Sequence, residues 1–281
     1  MILKKVYLYN FYKKKFILYF STHKMKYSIY ITFLLSLSLF AQHIETSLIN
    51  EFQFEADAIF SIDNFETVFY KKDNIFFMDG QHRKTSYNNI QLGILHSANA
   101  FNPLKINLFY KDFNTVVILD NRLAEVFKID FNTLNPYRTV SHITTAFDNA
   151  LWIFNQDQQK LELYNYKTNT VKAQTRPVQS DVLDLKSNYN YCWLLTKNHL
   201  YVYNYFGSLV KKINNQGYTK IAQSNENIIL KKDNKLFYLE ENGTFAQPIQ
   251  TSTLTVKQFF VTNETLYIYN NESLQKFQLK I

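Results

Sequence analysis

The chain has 281 residues and a formal net charge of +8, from 31 Lys and Arg against 23 Asp and Glu. Seven of the lysines and none of the acidic residues lie in residues 1–41, so the rest of the chain holds 24 basic and 23 acidic residues and is nearly neutral. Because nucleic-acid-binding domains concentrate basic residues in their folded part, this composition argues against a nucleic-acid partner.

The front of the chain has the pattern of a secretory signal. Lys24 and Lys26 supply positive charge before the apolar stretch Ile29–Phe40, and Ala41 provides a small residue for cleavage before Gln42. The apolar stretch is shorter than the roughly 20 residues of a membrane span. We therefore predict export to the periplasm, with no stable membrane span after cleavage. Secretion and an uncleaved N-terminal anchor are the alternatives.

This interpretation divides the chain into a leader, residues 1–41, with its true start at Met25, and one domain, residues 42–281. The domain is long enough for a single all-β fold, and no linker rich in Pro, Gly or Ser interrupts it. The single cysteine, Cys192, has no second cysteine to pair with and lies in an apolar run. We interpret it as a buried structural thiol.

A degenerate repeat of about 40 residues runs through the domain. Its clearest copies are Trp152-Ile-Phe-Asn with Leu161-Glu-Leu-Tyr-Asn, and Trp193-Leu-Leu-Thr with Leu200-Tyr-Val-Tyr-Asn. In each copy a short apolar strand precedes a strand with alternating aliphatic and aromatic residues, a period of two that indicates β-structure. Four-stranded units at this spacing are typical of propeller blades, so the sequence predicts an all-β, six-bladed β-propeller.

The six units are placed by the strand that follows the innermost strand of each blade. The middles of these second strands are predicted at Val68, Val117, Trp152, Leu194, Ile229 and Tyr267. The innermost strands are predicted at Ala56–Ile62, Leu104–Tyr110, Ile143–Phe147, Val182–Leu185, Tyr218–Ala222 and Val256–Val261. The outermost strands are predicted at Arg83–Tyr87, Pro136–Val140, Val171–Ala173, Ser208–Ile213 and Phe245–Ile249. The sixth unit lacks an outermost strand, and we predict that the spare strand Thr46–Phe54 completes that blade.

Asparagine and aspartate mark the turns between these strands. The chain has only five Gly, whereas 29 Asn follow residue 42. Asn and Asp tolerate the left-handed backbone conformation that tight hairpins need. We therefore expect them to replace Gly in hairpins such as Lys72-Asp73-Asn74 and Asn270-Asn271-Glu272.

The unit Leu200-Tyr-Val-Tyr-Asn-Tyr-Phe-Gly resembles the strand–turn–strand of quinoprotein-type and NHL-type propeller repeats, and Lys235-Leu-Phe-Tyr-Leu-Glu-Glu-Asn-Gly-Thr repeats the pattern. The resemblance implies the fold. Among propellers, the protein is most similar to the periplasmic ones that serve outer-membrane machines, such as the barrel-assembly accessory propeller and accessory subunits of type IX secretion translocons. This similarity implies a non-enzymatic interaction scaffold with a protein partner in the cell envelope, and we expect no cofactor or metal.

The segment Asn88–Pro103 lengthens the repeat spacing by about ten residues, and we predict that it is a loop inserted between the first two blades. Long ordered loops on a rigid scaffold often carry binding residues. The candidate binding residues in or beside this loop are Leu95, His96, Asn99, Phe101 and Arg122. The alternative is a packing loop that covers the channel or an edge.

Two other functions are open at this point. A metal-dependent propeller hydrolase or lyase would need acidic residues and histidine to converge on the channel, and the candidate catalytic residues are Glu55, Asp57, His142 and Asp181. A binder of a small ligand or glycan would use the inserted loop. Trp152 and Trp193 occupy equivalent places in neighbouring units, and we predict that they pack between blades rather than form a binding platform.

Overall fold

The computed structural model describes residues 43–252 and 255–281. The predicted signal peptide, its start at Met25 and its cleavage site before Gln42 lie outside the described residues. Two short 3-10 helices, Ile90–Leu92 and Lys111–Phe113, accompany the described strands. The strands are β1 (Ile44–Gln53), β2 (Ala58–Ile62), β3 (Val68–Lys72), β4 (Ile75–Asp79), β5 (Lys84–Tyr87), β6 (Ser97–Asn99), β7 (Ile106–Tyr110), β8 (Thr115–Leu119), β9 (Glu125–Asp130), β10 (Val140–Thr145), β11 (Ala150–Asn155), β12 (Lys160–Asn165), β13 (Thr170–Gln174), β14 (Val182–Ser187), β15 (Tyr191–Thr196), β16 (His199–Asn204), β17 (Leu209–Asn214), β18 (Lys220–Ser224), β19 (Asn227–Lys232), β20 (Lys235–Leu239), β21 (Gln247–Gln250), β22 (Gln258–Thr262), β23 (Thr265–Tyr269) and β24 (Ser273–Lys280). Within the described part of the chain, no helix has the length and apolarity needed to cross a membrane.

In the described residues these strands form four separate four-stranded sheets and one eight-stranded sheet. Strands β2–β5, β6–β9, β10–β13 and β14–β17 each make one antiparallel sheet in chain order. The eight-stranded sheet has the order β18-β19-β20-β21-β1-β24-β23-β22. The predicted all-β propeller architecture is therefore confirmed. Four blades, rather than the expected six, are separate sheets, because β1 joins the last two sets of strands.

The N-terminal strand β1 lies between two strands from the far end of the sequence. It is antiparallel to β24 from the pair Glu45↔Lys280 to the pair Gln53↔Ser273, with one irregularity between Leu48 and Asn50. It is also parallel to β21 over a short stretch that begins at Ile44↔Ile249. The spare strand expected at Thr46–Phe54 thus exists, and its main partner is the last strand of the chain.

The first strands of successive sets surround a central channel. Strand β2 contacts β6 and β22, β14 contacts β10 and β18, and β18 contacts β22. Strand β10 contacts β7, and side-chain hydrogen bonds join its Thr144 and Thr145 to Asn99 of β6. We call these six strands the inner strands. Their short length and mixed polar character suit a strand that faces packed neighbours on one side and the channel on the other.

Large apolar side chains fill the spaces between neighbouring blades. Trp152 is fully buried in a cluster with Leu185 and Cys192 of the next blade, and Trp193 is buried in the following cluster with Ile228. The prediction that both tryptophans pack between blades is confirmed. Burial also raises the pKa of the Cys192 thiol, as expected for an unreactive structural cysteine.

The second unit differs from the prediction by one strand. Its inner strand is β6 (Ser97–Asn99), inside the segment predicted to be an inserted loop, whereas Leu104–Tyr110 contains the second strand β7. The predicted second strand around Val117 is the third, and the predicted outermost strand at Pro136–Val140 is wrong because β9 (Glu125–Asp130) takes that place. A three-residue strand is too short to show alternation, and therefore the segment had no recognisable strand pattern.

Asparagine and aspartate do supply the left-handed turn positions. Nine of the twelve non-glycine residues with positive φ in the described structure are Asn or Asp. They include Asp73, Asn74 and Asn271 in the two hairpins named above. The short polar side chains stabilise this conformation locally, and consequently the blades form with very few glycines.

Candidate functional site at the channel

The channel opens differently at its two ends. The C-terminal ends of the inner strands β2, β6, β14, β18 and β22 line a single cavity, and therefore these ends lie on one face of the protein. We call this opening the C-terminal mouth and the opposite opening, where the inner strands begin, the N-terminal mouth. Because neighbouring strands of a blade are antiparallel, the turns after its first and third strands both lie on the face of the C-terminal mouth.

The C-terminal mouth holds a cavity of about 530 Å³. This volume falls in the range of roughly 300–1,000 Å³ that is usual for small-ligand pockets. Hydroxyl, amide and aromatic side chains at the strand ends form much of its wall. The lining residues that matter below are Ser61, Asn99, Phe101, Ser187, Tyr189 and Gln223.

Hydrogen bonds between side chains fix one wall of this cavity. Asn99 donates from Nδ2 to Thr144 Oγ1 at 3.0 Å and accepts from Thr145 Oγ1 at 2.7 Å. Asn107 donates from Nδ2 to the same Thr145 hydroxyl at 2.8 Å, and the hydroxyls of Thr144 and Ser187 lie 2.9 Å apart. The network connects three inner strands, so the side chains at this wall are held in fixed positions.

Two polar atoms in the cavity lining have no partner within the described structure. Ser61 Oγ and Gln223 Oε1 are both buried and unpaired. The other end of the Gln223 amide, Nε2, makes only a long contact of 3.5 Å with the backbone carbonyl oxygen of Ser187. A buried polar atom without a partner costs free energy, about 1–3 kcal/mol for a neutral group.

Two aromatic rings lie at the rim of the cavity. Phe101 and Tyr189 have ring centroids 5.0 Å apart, and they are 38% and 50% exposed. Of the carboxylates near them, one accepts hydrogen bonds within its own turn and the other accepts a hydrogen bond from a neighbouring turn. Asp63 accepts the backbone N–H of Phe65 at 2.8 Å, and Glu226 accepts the Asn190 amide at 2.5 Å.

Exposed phenyl rings also surround the C-terminal mouth at a greater distance. Phe65, Phe206 and Phe245 are 79%, 85% and 80% exposed. They lie in the β2–β3, β16–β17 and β20–β21 turns, which the antiparallel blades place on this face. Apolar side chains exposed singly are common on protein surfaces, so the informative feature is that these three are all aromatic and lie on one face.

The structure separates the five candidate binding residues. Asn99 and Phe101 line the cavity, and Arg122 lies in the exposed β8–β9 turn on the same face. Leu95 is buried in the core between the first two blades, and His96 is exposed at the N-terminal mouth, where its backbone N–H bonds to Phe109. The segment that carries most of them includes an inner strand, so the hypothesis of an additional loop is wrong.

The candidate catalytic carboxylates make local contacts at their own positions. Glu55 pairs with Lys72 at 2.7 Å, which lowers the pKa of the Glu55 carboxyl, and Asp181 pairs with Lys197 at 2.7 Å. Asp57 accepts the backbone N–H of Asp73 at 2.9 Å. Among residues 43–252 and 255–281, no group of three His, Cys, Asp or Glu side chains could hold a metal ion.

The fourth candidate, His142, lies near the N-terminal mouth. Burial lowers the pKa of its imidazole to about 4, and the nearby Lys111 and Lys220 contribute in the same direction. Ser141 Oγ lies 3.0 Å from its Nδ1. The carboxylate that opposes this shift is Asp184, a buried residue that accepts the backbone N–H of Ile221 at 3.0 Å.

Sequence reasoning missed Ser61, Ser187, Tyr189 and Gln223. Single Ser, Gln and Tyr residues have no motif of their own, and these come from three blades that are distant in sequence. A signal was nevertheless present, because small hydroxyl or amide residues recur at the ends of the inner strands. The set comprises Ser61, Asn99, Thr145, Ser187, Ser224 and Thr262.

Comparisons with known proteins support the fold and leave the function open. No protein-family model matches the chain, and no curated protein matches it. A catalytically inactive virginiamycin B lyase from Staphylococcus aureus, solved with quinupristin, is 12% identical with a TM-score of 0.56, and the match covers 83% of this chain and 99% of the lyase. The WD40 domain of Neurospora crassa Pan2 is 11% identical with a TM-score of 0.56, covering 79% of this chain and 74% of that chain. BamB from Moraxella catarrhalis is 9% identical with a TM-score of 0.53, covering 84% of this chain and 98% of that chain. At these identities the chain shares the β-propeller architecture of all three proteins.

Proposed function

We propose that this protein is a non-enzymatic β-propeller that acts as a protein-interaction scaffold in the cell envelope. The observation that carries the proposal is the set of exposed rings of Phe65, Phe206 and Phe245, each about four-fifths exposed, on the face of the C-terminal mouth. Protein interfaces are enriched in aromatic side chains, and a few such anchors usually provide most of the binding free energy.

The surroundings of these rings suit a protein partner. Arg122 lies in a turn on the same face, and Arg is enriched with aromatic residues at interface centres. Phe101 is half-exposed at the rim of the cavity and is part of the proposed surface. The rings stand on connections between paired strands, so the sheets hold both ends of each connection in place.

The proposed setting is the periplasm, and the proposed role is that of an accessory subunit of an outer-membrane assembly or secretion machine. The secretory pattern of residues 25–41 supports export, and the fold shared with BamB is compatible with a scaffold role. The near-neutral composition of residues 42–281 supports a protein partner in preference to nucleic acid.

We also propose that the eight-stranded sheet functions as two blades, which makes six blades in total. In this interpretation β18–β21 are the fifth blade, and β22–β24 with β1 are the sixth. The long antiparallel register of β1 with β24 supports this division, because its parallel pairing with β21 is short. The strand β1 would then close the ring and leave no unpaired edge on the last blade.

The test compares two triple variants of the full chain, each produced in cells. Envelope proteins are cross-linked to the variant, recovered with it by affinity purification, and identified. The first variant combines Phe65→Ser, Phe206→Ser and Phe245→Ser. The control variant combines Ile90→Ser, Phe113→Ser and Tyr137→Ser, which change exposed residues of the two 3-10 helices and of the β9–β10 connection on the opposite face.

We expect the first variant to lose a cross-linked partner that the control retains, with both proteins keeping the melting temperature of the parent within a few degrees. A partner that is retained by the first variant and lost by the control would contradict the proposed face. A rise in melting temperature with added Ca²⁺ would instead favour the metal-dependent hydrolase or lyase, because ligand binding stabilises the folded state by mass action.

A further inference from the structure

We propose that a second cavity, between strands β14–β17 and strands β18–β21, binds one large apolar side chain of a protein partner, from a segment in which basic residues flank that side chain. The inference deepens the proposed function and rests on it for the class of the partner. Glu226 and Asn242 of the cavity lining lie in the β18–β19 and β20–β21 connections, so the cavity opens on the face of the C-terminal mouth. The exposed rings of Phe206 and Phe245 stand on the β16–β17 and β20–β21 connections of the same two sets of strands.

The first argument is the size of the cavity. Its volume is about 220 Å³, below the roughly 300–1,000 Å³ that is usual for small-ligand pockets. A space of this size accommodates a single Leu, Met or Phe side chain. Inserting one apolar or aromatic anchor into such a pocket is a common way for a protein interface to gain binding free energy.

The second argument is that apolar walls of this cavity are accessible to solvent. Val210 of the lining is 53% exposed, and Tyr191 and Ile213 are partly exposed. Behind them, Trp193 and Val202 belong to the core cluster between the two sets of strands. An apolar side chain that enters the cavity therefore removes its own surface and that of these three residues from water, which favours binding.

The third argument concerns charge. The lining includes the carboxylates of Glu226, Glu240 and Glu241 and the ammonium group of Lys211, which gives an excess of negative charge. The ammonium group of Lys211 donates to the backbone carbonyl of Glu241 at 2.7 Å and to that of Gly243. Glu240 and Glu241 are exposed, and neither forms a salt bridge within the described residues. Lys or Arg residues on either side of the inserted side chain complement this charge.

The experiment titrates the purified full chain with three blocked peptides, Ser-Lys-Phe-Lys-Ser, Ser-Lys-Ala-Lys-Ser and Ser-Glu-Phe-Glu-Ser. The readout is tryptophan fluorescence, because Trp193 lines the cavity, whereas the other tryptophan, Trp152, is fully buried in a different core cluster. We expect the first peptide to bind and to change the emission. The alanine peptide should bind about tenfold more weakly or worse, since the buried aromatic ring is lost, and the acidic peptide should also bind more weakly.

A matched pair of variants places the binding at the cavity. Val210 and Val126 are the second residues of the outermost strands β17 and β9, and they are 53% and 55% exposed. Val210→Gln puts a polar side chain in the wall of the cavity and should weaken binding of the phenylalanine peptide several-fold. Val126→Gln changes an equivalent position in another sheet and should leave the affinity unchanged.

Four results would overturn the proposal: no binding of the first peptide, equal binding of the alanine peptide, preference for the acidic peptide, or equal affinities of the two Gln variants. The peptide titration uses purified protein and does not depend on recovery of a partner from cells. If the peptide fails to bind while the triple Phe variant loses its cross-linked partner, the scaffold function stands and the cavity is not its site. If the peptide binds as expected and no partner is recovered from cells, the scaffold function fails and the cavity remains a peptide-binding site.

Discussion

Gln258 forms two hydrogen bonds with the backbone of Ile59, although the two residues are 199 positions apart. Its Nε2 donates to the Ile59 carbonyl at 2.8 Å, and its Oε1 accepts the Ile59 N–H at 2.9 Å. One amide side chain therefore connects the inner strand β22 to the inner strand β2. The hydroxyl of Thr262 adds a bond to the carbonyl of Ile62 at 2.9 Å, so the first and last inner strands are fastened along their length.

We predict that Gln258→Met lowers the free energy of unfolding by about 1–3 kcal/mol for each buried backbone group left unpaired. Met has nearly the size of Gln and lacks its amide, so the effect reports the lost hydrogen bonds more than lost packing. Urea unfolding followed by fluorescence measures the change. The exposed Gln91→Met is the matched control and should change stability little. Equal effects of the two substitutions would show that the contact contributes nothing.

The strand β1 gives the second prediction. A protein that begins after Phe54 lacks the strand that pairs with β24 from Ser273 to Lys280. This leaves the backbone groups of one edge of β24 unpaired, and an unpaired edge promotes association between molecules. We expect the shortened protein to aggregate or to melt many degrees lower, as measured by differential scanning calorimetry and light scattering.

The control for β1 is a protein that begins at Gln42, which keeps the whole strand. It should melt as the full chain does. If the two shortened proteins melted at the same temperature, β1 would not be needed for closure of the ring.

His142 gives a prediction about pH. Its folded-state pKa of about 4 lies below the ordinary value of 6.5, so between these values the unfolded chain binds a proton that the folded protein does not. Protonation of His142 therefore favours the unfolded chain as the pH falls below 6.5. The free energy of unfolding is highest above pH 6.5 and decreases as the pH falls towards 4. At pH 5 the loss is about 2 kcal/mol relative to pH 7.5.

The measurement is the free energy of unfolding of the parent and of His142→Asn at the two pH values. We expect the fall in stability between pH 7.5 and pH 5 to be smaller in the variant. His82→Asn, at an exposed position, serves as the control and should keep the parental fall. The same fall in all three proteins would contradict the assignment.

Replacing Leu95–Phe101 by a short Gly-Ser turn is the fourth experiment. The segment contains β6, and its Leu95 side chain is 1% exposed in the core between the first two blades. Its Asn99 also makes two of the bonds that hold the channel wall. We therefore expect the replacement to unfold or strongly destabilise the protein, as judged by circular dichroism.

The exposed turn Asn242–Phe245 provides the comparison for this replacement. Replacing that turn by the same Gly-Ser sequence should change the melting temperature little. Survival of the ring without Leu95–Phe101 would restore the view that the segment is an addition to the blades.

Much of the fold was predictable because propeller blades repeat a local pattern. The second strands at Val68, Trp152 and Leu194 lie where the repeat places them, and the two tryptophans occupy equivalent inter-blade positions. The prediction of the second blade was wrong for an identifiable reason. Measured from Val68, a second strand at Val117 is too far away, whereas Leu108 of β7 lies at about the 40-residue repeat length. The irregular spacing reflected a misassigned strand, and no extra loop was needed to explain it.

The candidate site was less accessible to sequence reasoning. Four of the five binding residues were chosen from one segment, but the cavity is built from the ends of five inner strands that are spread over the sequence. Irregularities in the pairing of the inner strands occur near Phe60, Ser141 and Leu183. They affect whether an inner-strand residue faces the channel or a neighbouring blade. A bulge shifts which side chains face the channel, and its position is not written in the alternation of the strand.

The pairing of β1 with β24 has a consequence for the order of folding. Strand β1 is synthesised before any other described strand, and its main partner β24 is the last of them. Contacts between distant parts of a chain form slowly, because the intervening segment must first be brought together. Until it pairs with β24, β1 is an unpaired segment that contains the apolar residues Leu48, Ile49 and Phe52. Glu45 and Glu51 in the same strand add charge that discourages association with other chains until β24 arrives. We therefore expect the joining of the two ends to be a late step of folding.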